Sequence, residues 1–182
     1  MTVLDIVRLG DPVLRTPAEP LGQDELAAEA TRRLIDDLFE TMGAAGGVGL
    51  AAPQVGIGKQ LFVYAVEGEG LDPVPPRVVI NPMLTPEPGE LVHDWEGCLS
   101  IPALRGLVPR HPAVRVRALD RHGEALDYVA AGFEARIVQH EHDHLNGVVF
   151  VDRMRDLRSL CFEDLWHRFV EGSDPTGQPA VG

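Results

Sequence analysis

The clearest periodicity in the chain runs from Phe133 to Val148. At 100° per residue, Phe133, Ile137, His140, Glu141, His144 and Val148 share one face, while Arg136, Gln139, Asp143 and Asn146 form a polar stripe away from it. The pattern predicts a helix over residues 133–146 with its histidines turned inward. Asn146-Gly147 is a natural stop, because glycine takes the left-handed conformation there without steric cost. His142 falls near the opposite side of the wheel and reads as a solvent-side or second-face histidine.

The same reading gives an N-terminal amphipathic helix over Gln23–Gly43. Leu61, Phe62, Val63 and Tyr64 within 60–66 read as a buried strand, and further strands are expected at 77–85, 105–110, 113–119 and 124–130. Leu157, Leu160, Cys161, Leu165 and Phe169 recur at helical spacings and predict a C-terminal helix over 156–171. Asp72–Pro76 and Thr85–Gly89 are Pro-rich and read as loops, and Ser173–Gly182 reads as a flexible polar tail. Helix, many short strands, then helices is the order of an α+β fold. Antiparallel sheets would pack around the central helix at 133–146, with helices at the N- and C-terminal ends.

Composition narrows the class. At 182 residues and 45% hydrophobic, one domain over 1–172 followed by the tail at 173–182 is the economical organisation. No apolar run approaches a membrane span, and a formal net charge of −12 argues against direct DNA binding. Two cysteines, Cys98 and Cys161, are too few for a disulfide framework, and no signal peptide is evident, so a cytoplasmic protein is expected. Cys161 reads as a small core residue.

Candidate chemistry centres on His-Glu-His-Asp-His at 140–144, which contains H-E-x-x-H. On a helix the two outer histidines lie about 40° apart in azimuth and about 6 Å apart along the axis, so both imidazoles can reach one metal ion. Glu141 projects beside that ion without ligating it, as a general base would. A third ligand is required. The zinc-protease pattern H-E-x-x-H-x-x-G-x-x-H is met through Gly147, but Phe150 stands where its last histidine should be. Glu163 and Asp164, 19 and 20 positions after His144, are one alternative; Cys98, in Glu96-Gly97-Cys98-Leu99-Ser100, is the other. Three protein ligands plus a water would make a catalytic site. Upstream, Gly47-Val48-Gly49-Leu50-Ala51-Ala52-Pro53-Gln54 offers small residues for close backbone approach and, in Gln54, an amide donor suited to an oxyanion or to bracing a loop.

Taken together, GVGLAAPQ at 47–54, EGCLS at 96–100 and QHEHDH at 139–144 resemble the three ordered signatures of the peptide deformylase family, G-x-G-x-A-A-x-Q, E-G-C-L-S and Q-H-E-x-D-H. The opening Leu9-Gly10-Asp11-Pro12-Val13-Leu14-Arg15 is also similar, and the resemblance covers about residues 5 to 152. It implies removal of the formyl group from the N-terminal formyl-methionine of nascent polypeptides, with formate released. Cys98, His140 and His144 would bind one divalent metal with water in the fourth position, Fe²⁺ natively, with Zn²⁺, Ni²⁺ or Co²⁺ able to substitute. Glu141 would be the general base as that water attacks the formyl carbon, and then the proton donor to the leaving amine. Gln54 and the backbone N–H of Leu99 would hold the oxyanion, and backbone near Gly49 would pair with the substrate as an added strand.

The methionine pocket is expected to be lined by Val48, Phe133, Ile137 and the edges of His140 and Glu141, with Arg136 at the rim. Glu96 is expected to brace the cysteine segment through Arg105 or Arg110. Family members work on chains leaving the ribosome, but residues 153–171 hold four arginines against four acids, which favours only transient docking there. Two rival classes are a metal endopeptidase, which would survive loss of Cys98, and a non-catalytic metal-binding module, which Glu141 and Gln54 argue against.

Overall fold

A computed structural model describes residues 2–67 and 73–171. In chain order it contains α1 (Gln23–Ala27), α2 (Glu29–Ala44), β1 (Gly49–Ala51), β2 (Leu61–Val66), β3 (Val74–Pro86), β4 (Val92–Cys98), β5 (Ile101–Arg110), β6 (Ala113–Leu119), β7 (Ala125–Ala131), α3 (Gly132–Leu145), α4 (Phe150–Arg153), β8 (Cys161–Phe162) and α5 (Trp166–Glu171). The described strands form two antiparallel sheets, one in the order β1-β2-β3-β6-β7 and one in the order β4-β5-β8. The expected α+β architecture around a central helix is therefore present.

The unbroken apolar run of β2 follows from cover on both faces of the larger sheet. Successive strand residues point to opposite faces. Phe62, Tyr64 and Val66 pack with Ala135, Ile137, Val138 and Leu145 of α3. Leu61 and Val63 pack with Ile35, Leu38 and Met42 of α2 on the other side. Each fully buried side chain of this size contributes roughly 1.5–3 kcal/mol, so α3 is fixed against the sheet before any of its polar groups is considered. A smaller cluster of Ile101, Val108, Val149 and Phe150 fixes the second sheet to α4. Gly147 (φ +71) ends α3 where the chain brushes the backbone of Arg15; a Cβ there would lie 2.7 Å from the Arg15 carbonyl carbon.

Several elements differ from expectation for local reasons. The helix expected over Gln23–Gly43 is broken at Ala28, which is extended (φ −68, ψ 141). The carboxylate of Glu25 accepts from Gly22 N–H at 2.9 Å, and its carbonyl accepts from Thr31 Oγ1 at 2.6 Å, which closes α1 after five residues. Val74–Pro76 and Thr85–Pro86 are ends of β3 rather than loops; pairing with β6 begins only at Ile80, so Pro75 and Pro76 lie where β3 has a single neighbour. Asp72 lies outside the described residues.

The continuous C-terminal helix over 156–171 is absent. Asp156 accepts from the backbone N–H of Arg158, Ser159 Oγ accepts from Leu107 N–H, and Cys161 and Phe162 pair with Arg105 and Leu104 of β5. These bonds compete with helix formation, and α5 is only the last turn or so of the expected element. Cys161 is buried as expected, but on a strand. The tail at 173–182 lies outside the described residues.

Candidate metal centre

β4 delivers Cys98 at its C-terminal end and α3 delivers His140 and His144, one turn apart on its inward face. The Cys98 sulfur and one nitrogen from each imidazole lie within 4.8 Å of one another. Cys98 Sγ is 3.3 Å from His144 Nε2, and the imidazole centroids are 5.1 Å apart. His140 Nδ1 donates to Glu96 Oε2 at 2.9 Å, which leaves its Nε2 for the inner side. A soft thiolate with two imidazoles fits Fe²⁺, Zn²⁺ and their neighbours among divalent metals.

The histidines sit in unlike fields. Burial acts to lower both, but hydrogen bonds to Cys98 and Glu96 hold His140 well above the usual histidine value. His144 is pushed well below it, by burial and then by the charge of His140. A neutral imidazole keeps the lone pair that ligation needs.

Glu141 follows His140 on α3 and is 4% exposed. Burial raises its carboxyl, His140 and Arg110 pull it back, Glu96 adds to the rise, and the result is pushed up to about 7. Its Oε2 has no protein partner, which suits a base that takes its proton from outside the chain. Gln54 is 2% exposed in the 3-10 turn Ala52–Val55. Ala51 N–H donates to Gln54 Oε1 at 2.9 Å, which fixes the amide so that Nε2 faces Cys98 Sγ at 3.6 Å and Ser100 Oγ at 3.3 Å. A donor amide therefore lies beside the metal position.

Cys98, His140, Glu141 and Gln54 open into a cleft of about 530 Å³ that also meets Val48, Gly49, Leu99, Phe133 and Ile137, while His144 is fully buried behind it. Phe133 is 43% exposed at the mouth and Ile137 is 4% exposed at the base. The alternative acid Glu163 is held by Arg105 at 2.5 and 3.0 Å on the rim.

The polar stripe expected on the outside of α3 is partly inside. Arg136, expected at the rim, does border the cleft but is only 6% exposed, and Asp143 is 4% exposed. His142 is half-buried. Glu96 is gripped by Arg110 through two bonds of 2.9 Å, so Arg110 rather than Arg105 is its brace. Arg136 adds a bond of 2.8 Å to the same carboxylate. Arg110 also donates to Asp143 at 2.6 Å, and Asp143 accepts from Arg153 at 2.6 and 3.0 Å. Burial would raise Glu96, but the hydrogen bonds and charges of Arg110 and His140 hold it well below the carboxylate range. Ser100, Asp143 and Arg153 were not anticipated as parts of the site. Ser100 and Asp143 stand inside two of the quoted motifs, which is the signal that could have found them; Arg153 carries none.

Comparison with known proteins agrees with this geometry. The family model for polypeptide deformylase matches residues 3–159. The chain is 43% identical to peptide deformylase 1 of Nitrosomonas europaea over 87% of its own length and 92% of that protein's. It superposes on the class I type b peptide deformylase of Acinetobacter baumannii, solved with Met-Ala-Ser bound, with a TM-score of 0.81 at 38% identity, covering 84% of this chain and 99% of that one. The actinonin complex of a peptide deformylase from Synechococcus elongatus gives 0.76 at 39% identity, over 98% and 91% of the two chains. With the three motifs gathered into one cleft and this likeness spanning most of its length, the chain belongs to the polypeptide deformylase family.

Proposed function

We propose that Cys98, His140 and His144 hold one divalent cation, Fe²⁺ in the cell with Zn²⁺, Ni²⁺ or Co²⁺ as substitutes, and that the residues around them divide the work of formamide hydrolysis. The chain is a metal-dependent hydrolase of the family's reaction: the formyl C–N bond of an N-formyl-methionyl peptide is broken, formate leaves and the methionyl amine is freed. When bound, the metal supplies Lewis acidity and lowers the pKa of a water in its open position. Glu141 takes the proton from the attacking water and returns it to the departing amine. Gln54 Nε2 and the Leu99 backbone N–H donate to the oxygen that gains negative charge.

Val48, Phe133 and Ile137 give the cleft an apolar wall for the unbranched methionine side chain, and Gly49 lets the peptide backbone come close as an added strand. Residues 1–172 act as one catalytic domain. The setting is the cytoplasm, with nascent chains as partners and ribosome contact only transient. No helix among the described residues is long and apolar enough to cross a membrane.

One observation carries this assignment of roles: Cys98 and His140, with His144 buried within ligating distance of them, share one cleft with a buried carboxylate that keeps a free oxygen and an amide whose Nε2 is fixed toward the sulfur. The test is anaerobic purification with metal analysis, followed by assay on formyl-Met-Ala-Ser and acetyl-Met-Ala-Ser. Stoichiometric metal and cleavage of the formyl peptide alone are expected. Failure to cleave either peptide with Fe²⁺, Zn²⁺, Ni²⁺ or Co²⁺ loaded would overturn it, and so would full activity in Cys98→Ala.

A further inference from the structure

The thiolate and the imidazoles come from separately packed parts of the molecule. Cys98 ends β4 in the smaller sheet, whose apolar cluster centres on Ile101, Val108 and Phe150. His140 and His144 ride on α3, which packs on the larger sheet. No described strand pairing joins the two sheets. Something other than a β ladder must set the distance between the sulfur and the imidazoles.

Arg110 of β5 crosses that gap once, to Asp143 of α3, and Arg136 crosses it from the helix side with more bonds. Arg136 lies one turn before His140 on α3. Its Nη1 donates to Glu96 Oε1 at 2.8 Å, to the Val108 carbonyl at 2.9 Å and to the Asp94 carbonyl at 3.4 Å, while Nη2 donates to the Val92 carbonyl at 2.9 Å. One guanidinium thus binds three main-chain oxygens on β4 and β5 and the carboxylate that fixes His140. Glu96 is two residues before Cys98, so its position and that of the sulfur are set by the same stretch of strand. Charge neutralisation is not what Arg136 adds, because Arg110 already binds both oxygens of Glu96. The planar fork matters here: a lysine ammonium could pair with Glu96 but could not reach all three carbonyls.

We propose that Arg136 is a positioning residue for the metal centre, clamping the thiolate-bearing hairpin against the histidine-bearing helix so that the three donors are held at ligating separation before the ion arrives. The inference rests on Cys98, His140 and His144 being the metal ligands. It makes Arg136 a determinant of how long the ion stays.

The test uses the full chain loaded with Co²⁺, comparing wild type with Arg136→Met and Arg136→Lys. The readouts are the rate of Co²⁺ transfer to a competing chelator, the visible absorption of the bound ion, and far-UV circular dichroism as a check on folding. The clamp predicts release accelerated about tenfold or more in Arg136→Met, an intermediate rate in Arg136→Lys, and altered absorption in both. Folded variants that release Co²⁺ at the wild-type rate with an unchanged spectrum overturn the proposal. If Arg136→Met does not fold, Arg136→Lys decides alone by the same criteria. A Cys98→Ser control separates the two claims: if it binds Co²⁺ as wild type does, the ligand assignment has failed, and the clamp falls with it.

Discussion

Glu141 lies so close over Gly49 that a Cβ built on the glycine would sit 2.8 Å from the glutamate Cδ and 2.9 Å from its Cγ. The carboxylate occupies the space a side chain on β1 would need. Gly49→Ala is therefore expected to displace the base without touching the metal donors. kcat/KM on a formyl-Met peptide should fall at least about tenfold, in the range expected for loss of a positioned base, while metal content stays at one per chain. Undiminished activity in the alanine variant would show that Glu141 can do its work from elsewhere.

Gln54 offers a second, independent handle. Because Ala51 N–H fixes Oε1, Gln54→Glu keeps the shape but replaces the inward N–H₂ with an acceptor. The loss of one oxyanion donor costs about 10²–10³ in kcat, so both Gln54→Glu and Gln54→Ala should lose kcat far more than KM. A change confined to KM would instead mark Gln54 as a loop brace.

The depressed Glu96 carboxyl ties stability to pH. A carboxylate whose folded value lies below its unfolded value of about 4.3 stabilises the fold above that pH and loses the contribution as pH falls toward the folded value. Urea unfolding of the metal-free chain should thus show stability declining as pH drops below about 4. Glu96→Gln should flatten that decline. The same variant should be weaker at pH 7 by about 3–5 kcal/mol, since Arg110 and Arg136 are left facing a neutral partner in a buried site. Parallel acid limbs in the two proteins would sink this account.

Asn81 makes a prediction remote from the cleft. It holds a left-handed backbone (φ 52), and its side chain accepts from Leu21 N–H and donates to the Leu21 carbonyl, both at 2.9 Å. Asn81→Ala loses both bonds at a strained position and should cost about 1–3 kcal/mol in denaturant unfolding, with kcat/KM unchanged. Asn81→Gly should recover the backbone part of the loss only.

How much of this was legible beforehand depends on whether side-chain polarity and burial agree. They agree in β6, where Val114 and Val116 are buried and Arg115 and Arg117 exposed, and the strand expected at 113–119 is the strand found. They disagree in β4, which exposes Val92 and buries Glu96, so no amphipathic pattern marks it. The same inversion hid Arg136 and Asp143: a hydrophobic wheel assigns charged residues to water and is blind to a partner on another element. The metal donors were easier, because H-E-x-x-H and a cysteine within EGCLS state their chemistry directly. At the C-terminus the spacing of Leu157, Leu160, Cys161 and Leu165 suited a helix, but pairing with β5 and local bonds from Asp156 and Ser159 outweighed it.

Phe150, which stands where a protease would carry another histidine, lies nearly parallel to the His140 ring at 19° with centroids 6.4 Å apart, and is 1% exposed. Its ring belongs to the apolar cluster of Ile101, Val108 and Val149, so hydrocarbon lies on that side of the imidazole. Phe150 takes no part in lining the cleft, which opens instead beside Cys98, Gln54 and Glu141. The site has a dry back and a wet front, and traffic through it is one-sided.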